Sequence, residues 1–258
     1  MGPRGQRRTA TLVIHRREGR SMSQRVAVVG GGPAGLTAAI YTARAGLDTV
    51  VFDAEESILA RNAHLENVPG FPAGVNARTF LEASREQARR AGVEFVDARV
   101  EHVERDGDSF HVDADESYES EFVVAASWPD VSYLDAFELE RIERGSKTML
   151  STDEFARTEV EGLYAAGRVA RQYHQAVVAA GHGATAGLAV VEDSDEPIYH
   201  DWVAPEGYFT GRDRDVPPGC VEIDEDERRE REAESLAALA DLSPAAPPTM
   251  HPSVDDEE

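Results

Sequence analysis

The segment Gly30-Gly31-Gly32-Pro33-Ala34-Gly35 constrains this chain more than any other, because of what stands on either side of it. Before it, residues 25–29 form a short apolar run suited to a buried parallel strand. After it, residues 33–45 are helical in composition, with proline in the first turn and Gly46 as a C-terminal stop. Residues 49–52 read as a second, β-branched strand, and Asp53 closes it 18 residues beyond Gly35. Strand, G-x-G-x-x-G turn, helix, strand and acid, in that order, make a βαβ unit for the ADP half of a dinucleotide. Each residue has a physical task. Gly30 permits the tight turn, Gly32 lets backbone approach a diphosphate, and Gly35 lets helix and strand pack closely. Pro33 and Ala34 open the helix, whose unpaired N–H groups and partial positive charge suit phosphates. Asp53 can accept hydrogen bonds from ribose hydroxyls and would repel a 2′-phosphate, which disfavours NADP at this position.

Beyond this unit the α/β pattern continues. Asn76 can cap a helix over 77–91, which Gly92 ends before a strand at 93–96. Strands at 99–104 and 109–112 flank Asp106-Gly107, a hairpin signal. Further strands are expected at 121–125 and 163–165, and an Ala/Val-rich buried helix at 174–191, weakened by Gly181, Gly183 and Gly187. The chain therefore divides into a basic leader at 1–21, a nucleotide-binding domain at 22–191 and an acidic C-terminal extension at 192–258. The leader holds six arginines and one glutamate without the apolar stretch of a secretory signal, and Met22 is an alternative start. In the extension, residues 224–242 suit a helix, either solvated or a docking arm, and disorder is expected beyond Ser243.

Composition limits the function classes. The formal net charge of −23, with Lys147 the only lysine among 26 basic residues, matches the habit of halophilic proteins and argues against a nucleic-acid partner. No window approaches 18 consecutive apolar residues, so no membrane span is expected. Cys220 is the single cysteine, which rules out a dithiol relay within this sequence and suits the cytoplasm. No His/Cys/Asp cluster has metal-ligand spacing, and no G-x-S-x-G nucleophile motif occurs.

Residues 28–41, from Val28-Val29-Gly30 to Ile40-Tyr41, resemble the FAD-binding start of thioredoxin reductases and related pyridine nucleotide-disulfide oxidoreductases. Three further motifs follow in the family's order. Glu66-Asn67-Val68-Pro69-Gly70-Phe71-Pro72 is similar to a loop near the flavin, where Asn67 would contact the cofactor. Gly162-Leu163-Tyr164-Ala165-Ala166-Gly167 looks like the second FAD motif, and His174-Gln175-Ala176 like the segment that sets a helix N-terminus against the flavin pyrimidine. The resemblance covers about residues 25–190 and implies a Rossmann-like FAD-binding domain, a parallel sheet with a small antiparallel meander. It also implies FAD contacts from Gly167, Gln175 and Ala176, and from the Val100 backbone to adenine.

Three departures shape the functional expectation. The family inserts a nicotinamide-binding domain before its second FAD motif, whereas Ser127 to Gly167 is only 40 residues; the nicotinamide domain is expected to be absent. The C-x-x-C is missing. Arg168 stands where the family has a ribityl-binding aspartate, either abolishing flavin binding or pairing with the diphosphate. The second is the expectation, because a lost neutral hydrogen bond costs about 1 kcal/mol beside the roughly 10 kcal/mol of a sub-micromolar ligand. The expectation is an FAD-dependent oxidoreductase supplied by an external electron donor or redox partner protein, with homodimerisation covering surface left by the missing domain. The rival expectation is a non-catalytic flavin- or nucleotide-binding module. A third reading is an NAD-binding protein using the first fingerprint alone. Catalytic residues are not identifiable. Cys220 reads as an unreactive loop thiol rather than a single-thiol redox centre, having no basic neighbour in sequence, and His174 as a helix-start residue rather than a flavin-tuning group.

Overall fold

The computed structural model describes residues 24–54, 57–145, 147–197 and 200–242. The basic leader, the alternative start at Met22 and the tail expected to be disordered lie outside the described residues.

Six strands and four helices fall within two residues of the sequence reading. β1 (Arg25–Val29), α1 (Pro33–Ala45) and β2 (Asp48–Phe52) form the first βαβ unit. α2 (Ala77–Ala91) starts where the Asn76 side chain accepts N–H bonds from Arg78 and Thr79, and stops at Gly92, whose φ is 98°. It leads into β3 (Glu94–Val96). A meander of β4 (His102–Asp106), β5 (Ser109–Asp113) and β6 (Ser117–Ser120) follows. Its first turn holds Gly107 and Asp108, one residue later than the Asp-Gly signal placed it, because Asp106 pairs with Ser109 and still belongs to the strand. The first meander strand begins at His102 rather than 99, and β6 is a strand beyond those the sequence pattern marks. β7 (Phe122–Ala125), a hairpin of β8 (Arg141–Arg144) and β9 (Lys147–Leu150), and β10 (Leu163–Ala165) come next. α3 (Ala176–Asp193) starts two residues later than expected, with Gln175 at the N-cap position making no side-chain cap bond, and ends beyond the expected domain boundary at 191.

The central sheet is all parallel in the order β10-β7-β1-β2-β3. Strand alternation sorts its side chains into two cores. Val26, Val28, Val51, Phe122 and Val124 pack beneath α1, α2 and α3, with Leu36 and Ile40 of α1. Ala27, Val29, Val50, Phe52, Val123 and Ala125 face the meander, against Val103, Phe110 and Val112. Both faces are covered, as a parallel sheet requires. The result is a helix layer, a sheet and a meander layer. α1 and α3 touch through glycine: a Cβ on Gly183 would lie 2.1 Å from the Ala34 carbonyl oxygen, and one on Gly187 2.9 Å from that of Ala38. The α3 glycines that weakened the helix reading are thus the means of its packing.

After α3 come β11 (Trp202–Pro205) and β12 (Cys220–Ile223), paired in parallel, and α4 (Glu225–Asp241), capped by Asp224. Trp202, Tyr208 and Phe209 meet edge to face. The Glu222 carboxylate gathers the backbone N–H groups of Gly207, Phe209 and Thr210 and the Thr210 hydroxyl. Arg44 of α1 pairs with Asp201, and Arg90 of α2 with Glu234 of α4. Leu236 and Leu239, the narrow stripe of α4, are exposed.

Candidate functional site

All five central strands end on the same edge. β1 has β2 and β3 on one side and β7 and β10 on the other, so the strand order reverses beside it. Crevices at such a reversal, outside the carboxyl ends of the strands, are where open α/β sheets bind ligands. A cavity of about 380 Å³ opens there, lined by residues just past β1 (Gly30 to Ala34), β2 (Asp53), β3 (Val100) and β7 (Ala126 to Asp130). The volume lies in the roughly 300–1,000 Å³ range of small-molecule sites.

The turn after β1 is built by close approach. Gly30 has φ 113°, and a Cβ on it would lie 2.8 Å from the Ala126 carbonyl oxygen; one on Gly35 would lie 1.9 Å from that of Gly30. α1 begins at Gly32 with no side-chain cap and no acid in its first turn. Its N-terminal donors and dipole are therefore left to an anion in the cavity. Asp53 reaches over the turn. Its Oδ1 accepts the Gly31 N–H at 3.2 Å, its Oδ2 pairs with the Arg85 guanidinium, and its side chain is 9% exposed. Each oxygen keeps a lone pair for a ribose hydroxyl.

Arg85 was not foreseen. It lies on α2, 32 residues from Asp53, so no local motif announces it. Its guanidinium stacks 4.8 Å from the Phe95 ring centroid beside that of Arg89. Burial first, and then the charge of Arg89, lower its pKa.

The remaining anticipated residues divide. Gly30, Gly32, Pro33, Ala34, Asp53, Val100, Arg168, Gln175 and Ala176 are brought together on the cavity wall. Gly35, Asn67 and Gly167 do not line it. Gly35 packs against Gly30, and Asn67 donates its side-chain N–H to Gln175 Oε1 at 2.6 Å. Gly167 has φ 77°, abuts Ala34 and donates its N–H to His182 Nδ1 at 3.0 Å. Burial lowers the pKa of His182, keeping the imidazole neutral and able to accept that bond.

Arg168 turns against the indole of Trp128, with its guanidinium carbon 4.2 Å from the ring centroid. Its Nε is buried and has no hydrogen-bond partner among the described residues. Such an orphan donor costs about 1–3 kcal/mol, and a ligand acceptor would relieve it. Beside it, Ser127 Oγ and the buried Tyr133 hydroxyl share a 2.8 Å hydrogen bond, and burial raises the Tyr133 pKa. A glycine turn at an uncapped helix with a carboxylate over it fits a ligand carrying diphosphate and ribose, as FAD does. Cys220 lies elsewhere, in a separate, more open recess with His200, Trp202 and Pro217, and is buried. Among the described residues no three His, Cys, Asp or Glu are placed to hold a metal, and no helix is long and apolar enough to cross a membrane.

Comparison with known proteins agrees with this geometry. Residues 28–94 match the NAD(P)-binding Rossmann-like domain, and residues 65–183 match the pyridine nucleotide-disulphide oxidoreductase family. Thioredoxin reductase from Aquifex aeolicus is 46% identical over 77 residues, covering 29% of this chain and 24% of that protein. The bifunctional thioredoxin reductase/thioredoxin of Mycobacterium leprae is 36% identical over 133 residues, 50% of this chain and 29% of that protein. The matched segments span from 17% to 38% of the length of such relatives. In structure, a thioredoxin reductase from Gloeobacter violaceus superposes with a TM-score of 0.57 at 19% identity, covering 71% of this chain and 99% of that one. An oxidoreductase from Agrobacterium tumefaciens gives 0.60 at 16%, covering 66% and 98%.

Proposed function

This chain is thioredoxin reductase-like, a relative of the pyridine nucleotide-disulphide oxidoreductases, and from that premise we propose that it binds FAD in the cavity beside β1 and acts as a cytoplasmic FAD-dependent oxidoreductase. The observation that carries this reading is the turn itself: a helix N-terminus without a cap, opened by glycines, with Asp53 held above it. In this reading the α1 N–H groups take the diphosphate, Asp53 the adenosine ribose, Val100 the adenine, and Gln175 and Ala176, steadied by Asn67, the flavin end. FAD, when bound, supplies the capacity to accept and return electrons or hydride. The protein's own residues hold it and shield it from bulk water.

Electrons come from outside the domain: a diffusing donor or a partner protein. The interval between β7 and β10 supports this, because its described elements are one three-residue 3₁₀ turn (Ser132–Leu134) and the β8–β9 hairpin. So does the single cysteine, which lies in a different recess from the cavity. The same cysteine observation favours a second reading, a flavin-binding module without turnover.

The test is to purify the chain in high salt, record its visible absorbance and identify the nucleotide released on denaturation by mass spectrometry. The expected result is a yellow protein yielding FAD. A colourless protein that takes up no added FAD would overturn the reading. Photoreduction followed by reoxidation with quinone and dithiol acceptors separates oxidoreductase from module; a module shows no acceptor-dependent turnover.

A further inference from the structure

Three basic or titratable side chains surround one indole at the rim of the cavity. The Arg168 guanidinium carbon is 4.2 Å from the Trp128 ring centroid, the Lys147 ammonium is 5.9 Å from it, and the His174 ring centroid lies 6.4 Å away. Among the described residues neither Arg168 nor Lys147 has a carboxylate partner. Both carboxylates on the cavity wall are already taken: Asp53 by Arg85, and Asp130 by Arg99 at 2.8 Å. The arrangement is unusual for a molecule of net charge −23, in which cations such as Arg90, Arg157 and Arg228 stand against acids. Here two cations gather instead on the face of a tryptophan, which attracts them through its ring quadrupole without neutralising them. Their field reaches His174: burial, and then the charges of Arg168 and Lys147, lower its pKa, leaving a neutral ring with one N–H to donate. The Arg168 Nε, buried and unpartnered, is a donor already desolvated and waiting for an acceptor.

We propose that Arg168, Lys147 and His174 form, around Trp128, an anion-recognising subsite that takes the carboxylate or phosphate group of the second molecule to meet the bound cofactor. This deepens the FAD-oxidoreductase reading, on which it rests for what that second molecule does there. The subsite's own chemistry does not depend on it. A molecule of net charge −23 repels anions in general, so an unneutralised cationic rim both captures an anionic group and selects for it. Arg168 offers its planar fork, Lys147 a point charge, and His174 a neutral donor. The cofactor's own diphosphate is served separately by the α1 N-terminus.

Isothermal titration calorimetry on the full chain at constant ionic strength, with inorganic phosphate and with succinate, reads this directly. Saturable binding of either anion, but not chloride, is expected; the tighter of the two tells a phosphate-bearing from a carboxylate-bearing partner. Lys147→Gln and Arg168→Gln should each weaken it roughly tenfold, as loss of a charge-assisted hydrogen bond does. Arg212→Gln, the same charge change far from the cavity, should leave it unaltered. Trp202→Phe leaves Trp128 as the only indole, and its emission should follow the same binding curve. If neither anion binds, or if Arg212→Gln matters as much as Lys147→Gln, the inference fails. The titration is repeated with FAD at saturation. Phosphate or succinate affinity retained within about twofold supports a separate subsite, whereas competition with FAD would overturn it, because the cluster would then serve the cofactor diphosphate. A chain that takes no FAD at all defeats the FAD reading, while the anion titration of the FAD-free chain still decides the subsite.

Discussion

A single methyl group on Gly35 would sit 1.9 Å from the Gly30 carbonyl oxygen, a backbone atom, with Val28 Cγ1 a further 3.2 Å contact. Gly35→Ala is therefore expected to lower stability by about 1–3 kcal/mol, the usual range for overpacking, and urea denaturation measures it. Glu222 makes a prediction of a different kind. The Thr210 hydroxyl first, and then backbone N–H groups at 209, 210 and 207, hold its pKa near about 2, below the ordinary value of 4.5. Because the folded pKa is the lower one, its contribution is present above the ordinary glutamate range and is lost as pH falls from about 4.5 toward about 2. Protection factors of the amides at 207, 209 and 210 should fall through that window and be low at every pH in Glu222→Gln. Residues in the fingerprint could be assigned tasks from sequence because their partners lie within one βαβ unit. Arg85 and the Trp128 cluster could not: Arg85 meets Asp53 across 32 residues, and Trp128, Lys147 and Arg168 come from three separate segments.

Helix α3 shows what period and composition can and cannot carry. Its glycines look like weaknesses along the chain, yet two of them face α1 and one faces nothing. A Cβ at Gly183 would lie 2.1 Å from the Ala34 carbonyl oxygen, whereas one at Gly181 meets no atom within 4 Å. Gly181→Ala is thus expected to stabilise the chain by about 0.4–1 kcal/mol, through helix propensity and a less flexible unfolded state. Gly183→Ala should destabilise it by more than that and weaken FAD binding, since Ala34 is on the cavity wall. Thermal melts of the two variants side by side test the helix contact; equal effects would contradict it. The long helices and the buried strands were legible because their apolar runs and caps are local. The β8–β9 hairpin was not, because Arg141-Ile142-Glu143-Arg144 is mostly charged and none of its residues is buried. β11 and β12 escaped for another reason: each is four residues long, and a parallel pairing across a 14-residue loop leaves no turn signature.

At the scale of the whole molecule, a net charge of −23 sets the conditions under which everything else is stable. Self-repulsion among carboxylates opposes the compact state, and at 1 M salt the screening length is about 3 Å against about 10 Å at 0.1 M. The melting temperature is therefore expected to rise as potassium chloride is raised across that range; a flat or falling curve would show that the acidic surface costs the fold nothing. The layered architecture brings the ends of β1, β2, β3 and β7 to one crevice, and the acid fixed above the uncapped α1 N-terminus makes that crevice suit a dinucleotide. The direct measurement is calorimetric titration of the full chain with FAD, paired with Asp53→Ala. Expected are one FAD per chain and a loss of roughly 10- to 150-fold in the variant, corresponding to the about 1.5–3 kcal/mol of a hydrogen bond to a charged group. No heat of binding, or equal affinity for both proteins, would contradict it.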